Sequence, residues 1–217
     1  FKYNWRRAKG IATFTFLLLT FNFAHSLGVC KWDSNGVVVC DAPGPQGFGK
    51  CITTDGENGA IIAWTTLYTN IYAPRIDSLG NCLWTPNGVP IVTVGGPDFP
   101  CMVSDGRGGA IIAWEAWETY PHDIYVQRVD SSGNRLWTIN GVSICSDTGV
   151  ENFPCISSDG FGGAIVAWED SRNGNVDIYA QRIDSSGNCL WTLNGIAICT
   201  AEGVQGGPPQ IIADGTS

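Results

Sequence analysis

The stretch AIVAWEDSRNGNVDIYAQRIDSSGNCLWTLNGIAIC, residues 164–199, decides the fold, because the same text is written twice more in the chain, from Ala110 and from Ala60. Stacking the three copies places Trp64, Trp114 and Trp168 in one column, Tyr72, Tyr125 and Tyr179 in a second, and Trp84, Trp137 and Trp191 in a third. Self-similarity at a period of about fifty residues is the signature of a repeat architecture. A repeated motif describes a scaffold, so chemistry is to be sought where the copies disagree.

With its lead-in, each copy breaks into four short extended runs, read in the third as PCISSDG, GGAIVAW, DIYAQRID and LWTLNGIAIC. β-Branched and aromatic residues fill the runs, and Gly, Asn, Asp and Ser separate them. In DIYAQRID, Ile178 and Ala180 point one way while Tyr179 and Ile183 point the other, so both faces of the sheet are covered. Four strands per unit, covered on both faces, describe a β-propeller blade packed between neighbours. The SDGFGG and DSSGN turns leave room only for hairpins, which makes the strand order A-B-C-D with A innermost.

The expected fold is therefore all-β: three complete four-stranded antiparallel blades, about 50–94, 100–146 and 154–200, within a repeat region at 27–217. Residues 30–41 match strand D alone and 208–214 match strand A alone, which predicts partial blade strands at both flanks. Propellers close with four to eight blades, so three predict an open partial propeller. Its partners would be the remaining blades of a longer chain, or a second copy.

Alternating strand directions put the A–B and C–D turns on one face and the B–C and D–A loops on the other. The first set barely changes among the copies. The second varies: six residues separate Trp64 from Ile71, and nine separate Trp114 from Ile124 and Trp168 from Ile178. Divergence confined to one face is how repeat proteins build binding surfaces, although unconstrained loops drift in the same way.

Residues 1–26 differ from the rest. Lys2, Arg6, Arg7 and Lys9 precede the apolar run IATFTFLLLTFNF and then Ala24-His25-Ser26. This is the layout of a secretory signal peptide with its signal helix. The thirteen-residue run falls short of the roughly 20 residues a spanning helix needs. The expected location is secreted or cell-surface, with no stable membrane span once the leader is removed. A formal charge of −8 without a basic stripe excludes nucleic acid as a partner.

Nine cysteines suit an exported chain. They follow the repeat incompletely, with Cys40, Cys145 and Cys199 in one column, Cys51, Cys101 and Cys155 in another, and Cys30, Cys82 and Cys189 in a third. Pairing Cys145 with Cys155 would bridge an outer strand and the next inner one, roughly 14 Å apart by strand spacing, unless a loop folds back. No CxxC pair points to zinc.

At DIYVQRVDSSGNRLW and DIYAQRIDSSGNCLW the chain resembles secreted bacterial and archaeal β-propellers built from DIYAQR-type repeats, over nearly everything from Cys30 to Gly215. That resemblance implies a surface-associated protein and is specific for architecture, not for activity. More distantly, Asp184, Gly187 and Trp191 resemble the Asp-box hairpin of sialidase-type propellers, with Arg182 where that motif has Ser. The Asp box is structural in those enzymes, so this likeness concerns the fold. Two functions stand as expectations: a non-enzymatic binding or adhesion scaffold that works through the B–C and D–A loop face, or a fragment of a sialidase-like glycoside hydrolase.

Arg75, Arg128 and Arg182 stand two residues before Asp77, Asp130 and Asp184 on strand C. An arginine cluster can hold a carboxylate, but one arginine per blade reads as structural ion pairing or turn anchoring, and the Trp columns read as packing between blades. Two loops depart from the repeat. Glu115, Trp117, Glu118, Tyr120, His122 and Asp123 add an extra Trp, a Tyr and a His, a platform for a surface glycan or a protein. Glu169, Asp170 and Asn173 offer oxygens for calcium, the one cofactor in view, and Asp170 and Arg172 of the same loop join the binding candidates. No Ser lies in a nucleophile elbow, so no catalytic residue is assigned.

Overall fold

The computed structural model describes residues 35–46, 49–67, 69–118 and 120–214. The leader at 1–26 and the start of the first partial strand lie outside them. Thirteen strands and no helix are found among the described residues. The first sheet holds β1 (Lys50–Thr54), β2 (Ala60–Thr66), β3 (Asn70–Ala73), β4 (Arg75–Ile76) and β5 (Val89–Val92). The second holds β6 (Pro97–Ser104), β7 (Ala110–Ala116), β8 (Asp123–Val129) and β9 (Val142–Cys145). The third holds β10 (Glu151–Ser158), β11 (Ala164–Asp170), β12 (Asp177–Ile183) and β13 (Ile196–Cys199). Every pairing is antiparallel between neighbours in the A-B-C-D order, so each copy is a four-stranded blade. β3 and β4 are one C strand divided at Pro74, which has no N–H to give.

Residues 38–217 form one compact unit. In it, inner strand β6 packs against β1 on one side and β10 on the other. Two apolar cores fill the gaps between blades. Ala110, Ile112 and Trp114 face Ile61, Ala63 and Ile71 of the first blade, while Ile111 and Ala113 face Ala164, Val166 and Trp168 of the third. A strand buried on both sides has no polar face, which is why alternation is missing from it. Residues 35–41 and 208–214 form no strand. Each would need a partner strand to supply the ladder, and neither pairs with a strand among the described residues.

The inner strands begin three residues earlier than the repeat text suggests, at Pro97 and Glu151, because each carries a bulge. Phe99 (φ 45°) and Phe153 (φ 50°) take the left-handed conformation there. The rings of these two phenylalanines meet edge to face at 4.9 Å.

One mechanism holds the blades together on the constant face. Arg128 ties Asp105 of the A–B turn through Nε and Nη2, at 3.1 and 2.9 Å, and its Nη1 donates to the Ser185 carbonyl of the next blade at 3.0 Å. Trp137 Nε1 donates to the same carbonyl at 3.3 Å. One junction earlier, Arg75 and Trp84 repeat this on the Ser131 carbonyl, at 3.1 and 2.9 Å. The arginines therefore anchor Asp55, Asp105 and Asp159, not the aspartates two residues on. Asp77, Asp130 and Asp184 each close their own C–D turn; Asp184 accepts from the Ser186 and Asn188 amides at 2.8 and 2.9 Å. In that turn Gly187 lies under the Trp137 ring, where an added Cβ would stand 3.0 Å from the indole.

Candidate functional site

The variable loops concentrate at the junction of the second and third blades, where two groups of side chains adjoin. The B–C loop of the second blade is an aromatic cluster. Trp117 is 50% exposed and Tyr120 87% exposed. His122 stacks on the Trp117 ring at 4.6 Å and meets Tyr120 edge-on at 6.4 Å, while its Nδ1 lies 3.1 Å from Asn152 Oδ1. Glu118 accepts from the Gly95 amide at 3.2 Å, which ties the loop to the preceding D–A link. Asp123 opens β8 beside the cluster and is half-buried.

Glu115 belongs to the frame of this loop. It is buried; one carboxylate oxygen accepts from Trp117 Nε1, and the other accepts from the Phe153 amide of the next blade at 3.0 Å. Burial raises its pKa above the ordinary carboxylate value, opposed by those two donors. Glu169 does the same work one blade on, accepting from the Gly207 amide at 2.8 Å. In the first blade the column holds Thr65, and across the junction burial raises the Asp98 pKa while the Phe99 amide and Thr65 oppose that effect. A carboxylate thus meets the bulge amide at both inner junctions, supplied from strand B at one and from strand A at the other.

Directly beneath lies a buried polar cluster. Cys145 ends β9, Glu151 begins β10, Asp170 ends β11, and ligand atoms of the three lie within 4.8 Å of one another. Glu151 is fully buried, and neither of its oxygens has a hydrogen-bond partner. Burial pushes its pKa up to about 8, with Asp170 and Asp123 adding to the effect and Arg172 opposing it. Burial likewise raises the Cys145 thiol, with Glu151 acting in the same direction. Arg172 threads this cluster: Nε donates to Asp170 Oδ1 at 2.8 Å, Nη2 lies 3.1 Å from Cys145 Sγ and donates to the Asn194 carbonyl at 2.9 Å, and Nη1 pairs with Asp147 at 3.1 Å. Its guanidinium covers the Tyr179 ring at 4.0 Å.

The structure thus brings Glu115, Trp117, Glu118, Tyr120 and His122 together and places Arg172 inside the protein instead of on the exposed loop surface. It does not assemble the three calcium candidates. Glu169 is spent on Gly207, and Asn173 turns its amide nitrogen to Asp177 and Tyr179, both at 2.9 Å; Asp170 alone joins a group of ligand type. Cys145 and Cys155 are separate free thiols, and no disulfide occurs among the described residues. Sequence reasoning missed Glu151 and Cys145 as site residues. The signal for them was the repeat itself, since the same three positions at the first junction are Val92, Pro97 and Ala116.

Among the described residues no helix is long and apolar enough to cross a membrane. No protein-family model matches the chain, and no curated protein matches it. Among solved structures, the endo-arabinase from Bacteroides thetaiotaomicron VPI-5482 is similar at 16% identity and a TM-score of 0.35; the match covers 64% of this chain and 58% of that one.

Proposed function

We propose that the chain is a non-enzymatic binding module of an exported, surface-associated repeat protein, and that it takes a surface glycan on the Trp117–Tyr120 loop. The observation that carries this reading is a pair of exposed aromatics on the variable face, set on a buried support. Leaving rings in water forgoes their burial, and a sugar's C–H face recovers it by stacking. Trp117 is held by Glu115 and by His122, so little ordering remains to be done when ligand arrives. Glu115 also supports binding over hydrolysis, because both its oxygens are engaged in holding the frame. On the third blade, Arg182 and Trp191 stand where Arg128 and Trp137 grip their neighbour, and further blades of the same repeat are the partner that fits them.

A glycan array probed with the full chain tests this. Trp117→Ala and Tyr120→Ala are each expected to weaken the strongest glycan signal about tenfold or more, the size of a lost ring contact at a binding hot spot. Retention of the signal in both variants, binding of a peptide in place of any glycan, or hydrolysis of a glycoside that Glu115→Gln abolishes would overturn the reading.

A further inference from the structure

The buried cluster beneath the aromatic loop has a chemistry that neither the scaffold nor glycan binding uses. Its three positions come from the ends of three strands in two blades, and at the first junction their counterparts are apolar. Replacing Val, Pro and Ala by Cys, Glu and Asp at one junction places ionisable groups where burial penalises charge. Such groups persist when something satisfies them, and in Glu151 nothing does: the side chain is fully buried and both oxygens lack a donor.

We propose that Cys145, Glu151 and Asp170 form a binding site for one thiophilic divalent cation of the zinc type, which riveted between β9, β10 and β11 would join the second and third blades. One thiolate and two carboxylates favour zinc or cadmium over calcium or magnesium, which prefer oxygen alone. The ligand atoms lie within 4.8 Å of one another, so a small inward movement brings them to a common centre.

Arg172 is the resident cation of the site and the competitor for it. The Asp170 carboxylate already accepts from the Arg172 amide at 3.0 Å, from Arg172 Nε and Nη2, and from Trp168 Nε1 at 2.9 Å. With the Cys145 thiol 3.9 Å from Oδ2, five donors crowd the four lone pairs a carboxylate offers. An incoming ion must therefore displace Nη2 from Asp170 and from Cys145 Sγ, while Nη1 keeps Asp147 as an anchor. The three anionic ligands and Asp147 then face a divalent ion and one guanidinium, which leaves a single negative charge in excess. Binding releases to solvent the proton of the Cys145 thiol, and that of Glu151 where it is protonated.

The test is titration of the full chain, reduced and stripped of metal, with Cd2+ followed by thiolate-to-cadmium absorption and with Zn2+ followed by calorimetry. Cys145→Ser and Glu151→Gln are expected to bind one equivalent fewer than the parent chain, which controls for the other cysteines. Arg172→Met is expected to bind that equivalent about tenfold more tightly, because the competing cation is gone. Zn2+ should also raise the urea midpoint of the parent chain and leave that of Glu151→Gln unchanged, which keeps the test valid if another variant folds poorly. Equal stoichiometry in the parent chain and Cys145→Ser, or no gain in affinity in Arg172→Met, would overturn the proposal.

Discussion

Arg128 and Arg182 occupy the same place in their copies, yet their surroundings differ by one blade. The Arg128 side chain is 6% exposed and spans a junction to the Ser185 carbonyl; that of Arg182 is 32% exposed and reaches within its own blade, to Asp159 and over the Phe161 ring at 5.7 Å. Removing one partner of a buried pair leaves the other charge stranded, whereas a half-exposed pair is screened by solvent. Arg128→Ala should therefore lower the unfolding free energy by about 3 kcal/mol and Arg182→Ala by about 1 kcal/mol or less, read from urea denaturation. Equal losses would mean that the link to Ser185 contributes nothing.

At the scale of the element, the repeat states its own rules, and the exceptions can be tested. Gln127 and Gln181 are fully buried; Gln127 Oε1 accepts from the Trp137 amide at 3.1 Å and its Nε2 donates to the Thr138 carbonyl at 2.6 Å, which stitches strand C to the segment leading into strand D. Pro74 stands in that column in the first blade and splits its C strand. Pro74→Gln should stabilise the chain by about 1 kcal/mol, the gain of the stitching bonds less the lost rigidity of proline, and amide exchange of strands β3 and β4 should slow. The junction carboxylate obeys a second rule. Thr65→Glu would set a new acid against Asp98, a costly pair in a buried place, and Asp98→Asn should restore stability by recreating the Glu115–Asn152 arrangement. A double-mutant cycle is expected to give about 1–2 kcal/mol of favourable coupling; additivity of the two changes would refute the rule. The DIYAQR text was legible as a strand, but the role of its Gln was not, because the bonds it makes reach ten residues along the chain to a segment that only pairing brings near.

Across the whole molecule the acids divide by sign. Asn188 and its neighbours hold Asp184 below the ordinary 3.8, and in Asp55 and Asp159 backbone amides and an arginine outweigh a burial effect that alone would raise them. A lowered carboxylate stabilises the fold fully above 3.8, and that contribution disappears as pH falls through the folded value. Glu115 is raised above its ordinary 4.5, so its contribution is full below that pH and is lost as pH rises through its folded value. Stability measured by urea should thus fall below about pH 3.8, and it should also decline as pH rises above 4.5 through the folded values of Glu115 and Glu151, a decline that Glu115→Gln makes smaller; a profile unchanged by that substitution would refute the assignment. Blade number, strand order and the two loop faces were legible because every copy restates them in hairpins and in columns. The Cys145–Glu151–Asp170 cluster was not, since register across two copies assembles it and no single copy contains it. The Ser185 carbonyl, shared by Arg128 and Trp137, has a consequence for inheritance. Each unit carries both the grip for its successor and the handle for its predecessor, so unequal crossing-over in the gene can add or delete whole units with this carbonyl link still matched, while the other positions of the seam and the loops are left for selection to rewrite.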